Sequence, residues 1–261
     1  MRKFSRTPIT YYGGKQKLVP TILKLIPVHN LYCEPFSGGA AVFFAKEPAR
    51  VEVLNDTNRE LINFYQILQS DPDQLVDELK KTLFSRATFN DAWAIYNYPH
   101  LFPELKRAWA LWVLSIQGFS GQLSATWGYD RLKNTPVKRM KNRKEELEDV
   151  AKRLTNVQIE CTDAIRIIES RDTEDSFFYV DPPYFNSDCG HYDGYTESDF
   201  RNLLDCLEKI QGKFLLSSYP SDILKEYVQK NNWYSIKKEM KIDAGNSSRK
   251  KIEVLTANFR I

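Results

Sequence analysis

Short apolar runs alternate along the chain with longer segments in which apolar side chains recur every three or four positions. Asn30 to Pro35, Val51 to Leu54, Val157 to Cys161, Phe177 to Val180 and Lys213 to Ser218 read as strands. Leu18 to Ile26, Ala41 to Lys46, Asn58 to Ser70, Ala164 to Glu169, Ser198 to Ile210 and Asp222 to Lys230 read as helices. Strand and helix in alternation predict an α/β fold with a largely parallel sheet. Phe177-Phe178-Tyr179-Val180 has no strongly polar position, the mark of a strand buried on both faces. Trp233 to Glu239 and Lys250 to Phe259, joined by Ala244-Gly245-Asn246-Ser247-Ser248, predict a closing hairpin that gives the sheet an antiparallel edge.

The middle of the chain follows another pattern. Asp73 to Leu83, Ala87 to Tyr96, Glu104 to Ile116 and Lys144 to Leu154 are helical, Pro99 and Pro103 punctuate them, and no convincing strand run occurs. Residues 61–150 therefore read as a helical insertion in an α/β domain made of 1–60 and 151–261. Trp109 and Trp112, three positions apart, are placed to face the insertion's own core. Gly118 to Tyr129 mixes glycines with Phe119, Trp127 and Tyr129; it suits a short hairpin or wedge, and equally a packed connector.

Composition narrows the class of protein. At 42% hydrophobic and 27% charged residues the chain has the balance of a soluble domain. No apolar stretch is long enough to span a bilayer and Met1 to Ser5 lead into no signal-peptide core, so a cytoplasmic protein is expected. Cys33, Cys161, Cys189 and Cys206 form no C-x-x-C pair and there are only 3 histidines, which supports neither a zinc site nor a disulfide framework. The net charge of +3 says little, but its distribution says more. Arg131, Lys133, Lys138, Arg139, Lys141, Arg143 and Lys144 follow one another with no acidic residue between them, a run suited to phosphates as well as to plain solvent.

Candidate chemistry collects at the predicted strand ends. Asp181 follows the apolar run Phe177 to Val180 and would present its carboxylate at the C-terminal edge, where open α/β sheets bind ligands. Pro182 and Pro183 stop the strand and remove two N–H donors, leaving rigid carbonyl acceptors beside the Tyr184 ring. A carboxylate, a carbonyl and an aromatic face suit a planar heterocycle bearing an exocyclic amine. Gly38-Gly39 lie between a strand and a helix, as in a nucleotide-binding unit, without the G-x-G-x-x-G of a pyrophosphate cradle. Asp56, about twenty positions on, is placed to hold a ribose or else to cap the helix beginning near Asn58. Ribose recognition without a pyrophosphate loop suits S-adenosylmethionine (AdoMet) better than NAD. Thr10-Tyr11-Tyr12-Gly13-Gly14-Lys15 offers flat faces, close backbone approach and a charge, Asp163 ends another strand, and Phe185 to Tyr195 suits a lid or a plain surface loop.

Taken together, Tyr11-Tyr12-Gly13-Gly14-Lys15, Glu34-Pro35-Phe36-Ser37-Gly38-Gly39, Asn55-Asp56, Asp181-Pro182-Pro183-Tyr184 and Ser248-Arg249-Lys250-Lys251 resemble, in order and spacing, the Dam-like D12 class of DNA adenine-N6 methyltransferases. The resemblance implies a Rossmann-like AdoMet-dependent sheet with an antiparallel edge hairpin and an inserted helical target-recognition domain. It implies that Tyr11, Lys15, Phe36, Gly38, Asp56, Asp163 and Asp181 bind AdoMet, that Asp181, Pro182 and Tyr184 form the catalytic motif, and that no metal is needed. DNA is then the partner, with phosphate contacts from Arg131, Lys133, Lys138, Arg139 and Lys141, a wedge at Phe119 or Trp127, and a monomer or weak dimer as the working form. A cytosine-N4 enzyme would use the same acceptors. A silent DNA-binding module would have no use for Lys15, Asp56 and Asp181 together. The chain departs from relatives that read GATC, which carry arginine in a longer recognition hairpin: Gly118 to Tyr129 contains neither Arg nor Lys.

Overall fold

Seven strands form one mixed sheet in the computed structural model, which describes residues 7–11, 13–123, 125–185, 194–241 and 250–261. They are β1 (Leu31–Glu34), β2 (Val51–Asn55), β3 (Val157–Glu160), β4 (Ser176–Val180), β5 (Lys213–Ser218), β6 (Tyr234–Lys241) and β7 (Lys250–Ala257), in the order β3-β2-β1-β4-β5-β7-β6. β1 pairs parallel with β2 and β4, and β4 parallel with β5. β7 runs antiparallel to both β5 and β6, so the edge hairpin has its last strand on the inside.

The chain divides into two compact units, 1–24, 37–48 and 56–161 in the first and 25–36, 49–55 and 162–261 in the second. All of 61–150 falls in the first. That unit holds α1 (Val19–Ile22), α2 (Ala41–Ala45), α3 (Arg59–Ser70), α4 (Pro72–Lys81), α5 (Arg86–Asn97), α6 (Glu104–Gln117) and α7 (Thr135–Leu154). α6 is its centre. From Ala110 to Gln117 every residue is buried, and α3, α4, α5 and α7 pack against it. Trp112 is fully buried with its Nε1–H on the Pro8 carbonyl, whereas Trp109 is half-buried with its Nε1–H on Thr82 Oγ1. The helix from Leu18 shortens to one turn, and α7 begins nine residues before the expected Lys144. Asp130 is the reason for the early start: it accepts the N–H groups of Leu132 and Lys133, Asn134 turns left-handed, and Pro136 takes an N-terminal position where its missing donor costs nothing. The basic run is thus largely helical.

The second unit holds β1, β2, β4 to β7 and the helices α8 (Ala164–Arg171), α9 (Glu197–Lys209) and α10 (Asp222–Asn231). β4 is buried at every position and lies between β1 and β5, as its unbroken apolar run requires. Cys33, Phe178, Val180, Ile168, Leu204 and Leu216 belong to the core on one side. α9 begins one residue before the expected Ser198, capped by Thr196, which closes a reciprocal capping box with Asp199. Asn55 ends β2 fully buried, donating to the carbonyls of Pro35 and Thr162 and accepting the Thr162 N–H, so two strand-end segments are tied to one amide. Among the described residues no helix is long and apolar enough to cross a membrane.

Candidate functional site

Asp181 is the first residue beyond β4, and its Oδ1 receives the Tyr184 hydroxyl at 3.2 Å. Pro182 is buried and Tyr184 nearly so, with its ring edge-on to Tyr219 at 4.4 Å between centroids. The same hydroxyl lies 3.1 Å from Ser217 Oγ at the end of β5 and donates to Glu253 Oε1 on β7, and Ser217 Oγ donates to that Glu253 oxygen at 2.9 Å. Burial, with the Asp181 and Glu253 carboxylates beside it, holds the Tyr184 phenol far above its usual range and therefore protonated. The site thus contains an acceptor at a strand end whose neighbouring aromatic is pinned from below. In the same unit Phe36 meets Tyr195 edge-on at 6.4 Å, and Asp163 caps α8, accepting the N–H groups of Ile165 and Arg166 through Oδ1.

In the first unit, Gly38 turns left-handed at φ 47°, where a Cβ would lie 3.2 Å from the Tyr11 ring; glycine lets that ring lie on the turn. Asp56 Oδ2 accepts the Gly38 N–H at 3.0 Å and Oδ1 the Asn58 N–H at 2.9 Å. Burial raises the Asp56 carboxyl pKa, against the pull of those donors. Asn58, not Asp56, is the cap that receives the Glu60 and Leu61 N–H groups of α3. Asn58 also donates to the Tyr11 hydroxyl at 3.3 Å, Tyr65 donates to the Gly38 carbonyl at 2.9 Å, and buried Lys15 reaches the Gly13 carbonyl at 3.2 Å. Ser37 Oγ is buried with no hydrogen-bond partner among the described residues. A glycine turn under an aromatic ring, a carboxylate with lone pairs to spare and an unsatisfied hydroxyl suit the sugar and polar tail of AdoMet.

The described residues of 118–129 pair across an antiparallel bridge in the same unit. Gly118 bridges Trp127 antiparallel, and the N–H groups of Phe119 and Gly128 bond the carbonyls of Thr126 and Gln117. Gly121, at φ 71°, sits where a Cβ would come within 2.2 Å of Thr10 Cγ2, so no other residue fits. Phe119 is 63% exposed and Tyr129 57%. Trp127 is engaged within the fold: Arg86 lies over its ring at 4.7 Å, Phe84 and Tyr129 contact it, and its Nε1–H reaches Gln117 Oε1. Arg131, Lys133, Lys138 and Lys141 are exposed, but Arg139 turns inward to donate to the Ile116 carbonyl at 2.6 Å, and Lys144 bonds the carbonyls of Lys80 and Thr82.

Two polar residues of the site, Ser217 and Glu253, had no sequence-based role. A sign of Glu253 was present: it is a charged residue directly before the apolar run Val254-Leu255 in a strand that proves to have neighbours on both sides. Tyr12, Ser124, Cys189, most of the segment from Phe185 to Tyr195 and the segment containing Ser248-Arg249 lie outside the described residues. Among the described residues Cys33, Cys161 and Cys206 form no disulfide, and no metal-binding cluster occurs.

Residues 11–242 match the family model of the D12 class N6 adenine-specific DNA methyltransferase. A Type II methyltransferase of Lactococcus lactis subsp. cremoris is 29% identical over 279 residues, covering 98% of this chain and 97% of the relative. The DNA adenine methylase of Escherichia coli (strain K12) is 25% identical over 274 residues, covering 99% and 96%. A Type II methyltransferase of Methanocaldococcus jannaschii is 27% identical over 218 residues, 74% of each chain.

Proposed function

The chain belongs to the D12 class of N6 adenine-specific DNA methyltransferases, and on that footing we propose that Asp181, the Pro182 carbonyl and Tyr184 receive the adenine whose N6 is methylated. AdoMet is the methyl donor, and it supplies a methyl group on a positively charged sulfur. The residues fall to two tasks.

For the cofactor, Tyr11, Lys15, Phe36, Gly38, Asp56, Asp163 and Asp181 are the proposed contacts, as membership of the family implies. Asp56 has lone pairs beyond those given to Gly38 and Asn58, and a ribose hydroxyl can take one.

For the base, an adenine in a duplex must first be unstacked, because its N6 is out of reach inside the helix. Its N6 lone pair is delocalised into the ring and is a poor nucleophile. Asp181 and the Pro182 carbonyl would accept the two N6 hydrogens, localising that lone pair and fixing its direction, while the Tyr184 ring bounds the base. Orientation and pre-placed acceptors carry the rate, and the proton released from N6 needs only a weak acceptor. Exposed Phe119 is the proposed wedge, and Arg131, Lys133, Lys138 and Lys141 the phosphate contacts; Arg139 and Trp127 are engaged within the fold.

The observation that carries the reading is the placement of Asp181 at the end of the fully buried β4 with Tyr184 3.2 Å away. Incubation with labelled AdoMet and unmethylated DNA, followed by nucleoside analysis, tests it. N6-methyldeoxyadenosine is expected; N4-methyldeoxycytidine in its place would reassign the target base.

A further inference from the structure

We propose that Glu253 is a positioning residue of the transfer site: it accepts the hydrogen bond of the Tyr184 phenol and so leaves the Asp181 carboxylate to accept from the target amine. The inference rests on the reading of Asp181 as the acceptor for N6.

The Tyr184 oxygen carries one proton and has three acceptors in reach: Asp181 Oδ1 at 3.2 Å, Ser217 Oγ at 3.1 Å and Glu253 Oε1. It can donate to one of them at a time. Ser217 Oγ also donates to Glu253 Oε1, so two protons converge on a single oxygen, as an ionised carboxylate permits. Were the phenol turned to Asp181 instead, it would compete with the substrate for the lone pairs on which orientation depends.

The fold places Glu253 for this role. It is fully buried, in a strand with neighbours on both sides, and is followed by four buried residues from Val254 to Ala257. β5 and β7 pair Ser217 with Leu255, so Glu253, two residues from Leu255, shows the same face as Ser217. A carboxylate is costly in such a place unless it is hydrogen-bonded, and two of its bonds are the ones that fix the Tyr184 and Ser217 hydroxyls.

The substitution Glu253→Gln keeps the shape and removes the charge. Asp181 is then the charged acceptor within reach of Tyr184, and charge-assisted bonds are the stronger ones, so the phenol proton moves there. The experiment compares wild type, E253Q, Y184F and Y184F/E253Q for kcat, for KM toward duplex DNA and AdoMet, and for thermal unfolding. We expect kcat of E253Q to fall at least roughly tenfold with KM for AdoMet within about twofold, since about 1.4 kcal/mol separates each decade. Y184F should lose less than E253Q, and the double variant should match Y184F, because with no phenol proton there is nothing left to divert.

E253Q at wild-type kcat, or a double variant slower than either single one, would overturn the proposal. If E253Q alone fails to fold, the comparison of the double variant with Y184F decides; if both Gln variants unfold, Glu253 serves the fold and the proposal is wrong. Failure of the underlying reading shows separately, as wild-type protein that forms no N6-methyldeoxyadenosine.

Discussion

The backbone N–H of Gly38 and the Asp56 carboxylate meet at 3.0 Å, so the glycine turn and the residue after β2 are held by one side chain. Asp56→Ala leaves the Gly38 and Asn58 donors without their acceptor and removes the proposed ribose contact. Each charge-assisted bond is worth about 1.5–3 kcal/mol. Calorimetric titration should show AdoMet affinity weakened by about 10–100-fold, together with a lower unfolding temperature. A drop in stability with unchanged affinity would limit Asp56 to tying the turn.

The basic run divides into residues proposed to meet DNA and residues bonded within the fold. Arg139 commits its guanidinium to the Ile116 carbonyl near the C-terminal end of α6, whereas Lys138 and Lys141 are exposed on α7. Lys138→Ala with Lys141→Ala should lower the slope of log affinity against log salt by about 2, roughly 0.9 for each phosphate no longer neutralised, without changing which sequences are methylated. Arg139→Ala should leave that slope alone and cost about 1 kcal/mol of stability. Binding titrations at several salt concentrations, paired with thermal unfolding, separate the two.

Phe119 and Trp127 should likewise part company. Phe119→Ala removes an exposed ring and should leave stability within about 0.5 kcal/mol, while weakening capture of 2-aminopurine placed at the target position in a fluorescence assay. Trp127→Ala opens the cluster with Arg86, Phe84 and Tyr129 and should cost about 2–3 kcal/mol in denaturant unfolding.

These contrasts show where reading the residues reaches its limit. The buried run Phe177 to Val180, the order of strands and helices and the antiparallel edge are legible because apolar periodicity records burial directly. The candidate residues at the strand ends follow from the same pattern. What periodicity cannot show is where a polar side chain directs its hydrogen bonds. Arg139 and Lys144 sit in the basic run like any other cation, and only tertiary packing brings carbonyls of α6 and of the α4 end within their reach. The start of α7 depends on Asp130 turning back on Leu132 and Lys133, a local bond that the apolar pattern does not encode. Glu253 joins Tyr184 across 69 positions, and no spacing rule connects them.

If segment 118–129 reads the target sequence, what it lacks bears on specificity. Guanine is most often read by a bidentate Arg or Lys, worth about 1–3 kcal/mol of discrimination, and Gly118 to Tyr129 has neither. Gln122 and Thr126 can make only weaker contacts. We expect a recognition sequence shorter or more relaxed than GATC. Sequencing of methylated positions on a random-sequence DNA library checks this, and strict confinement to GATC would place guanine readout on a residue elsewhere in the chain.

The role given to Asp181 is tested most directly by single-turnover methylation of a synthetic duplex by wild type and Asp181→Ala, with folding checked by thermal unfolding. Asp181 lies just beyond β4 and is only partly buried, so the variant should fold. Loss of an acceptor that orients the reacting nitrogen should slow N6-methyldeoxyadenosine formation by about 10²–10³-fold or more. A folded Asp181→Ala protein that transfers methyl at close to the wild-type rate would contradict the account.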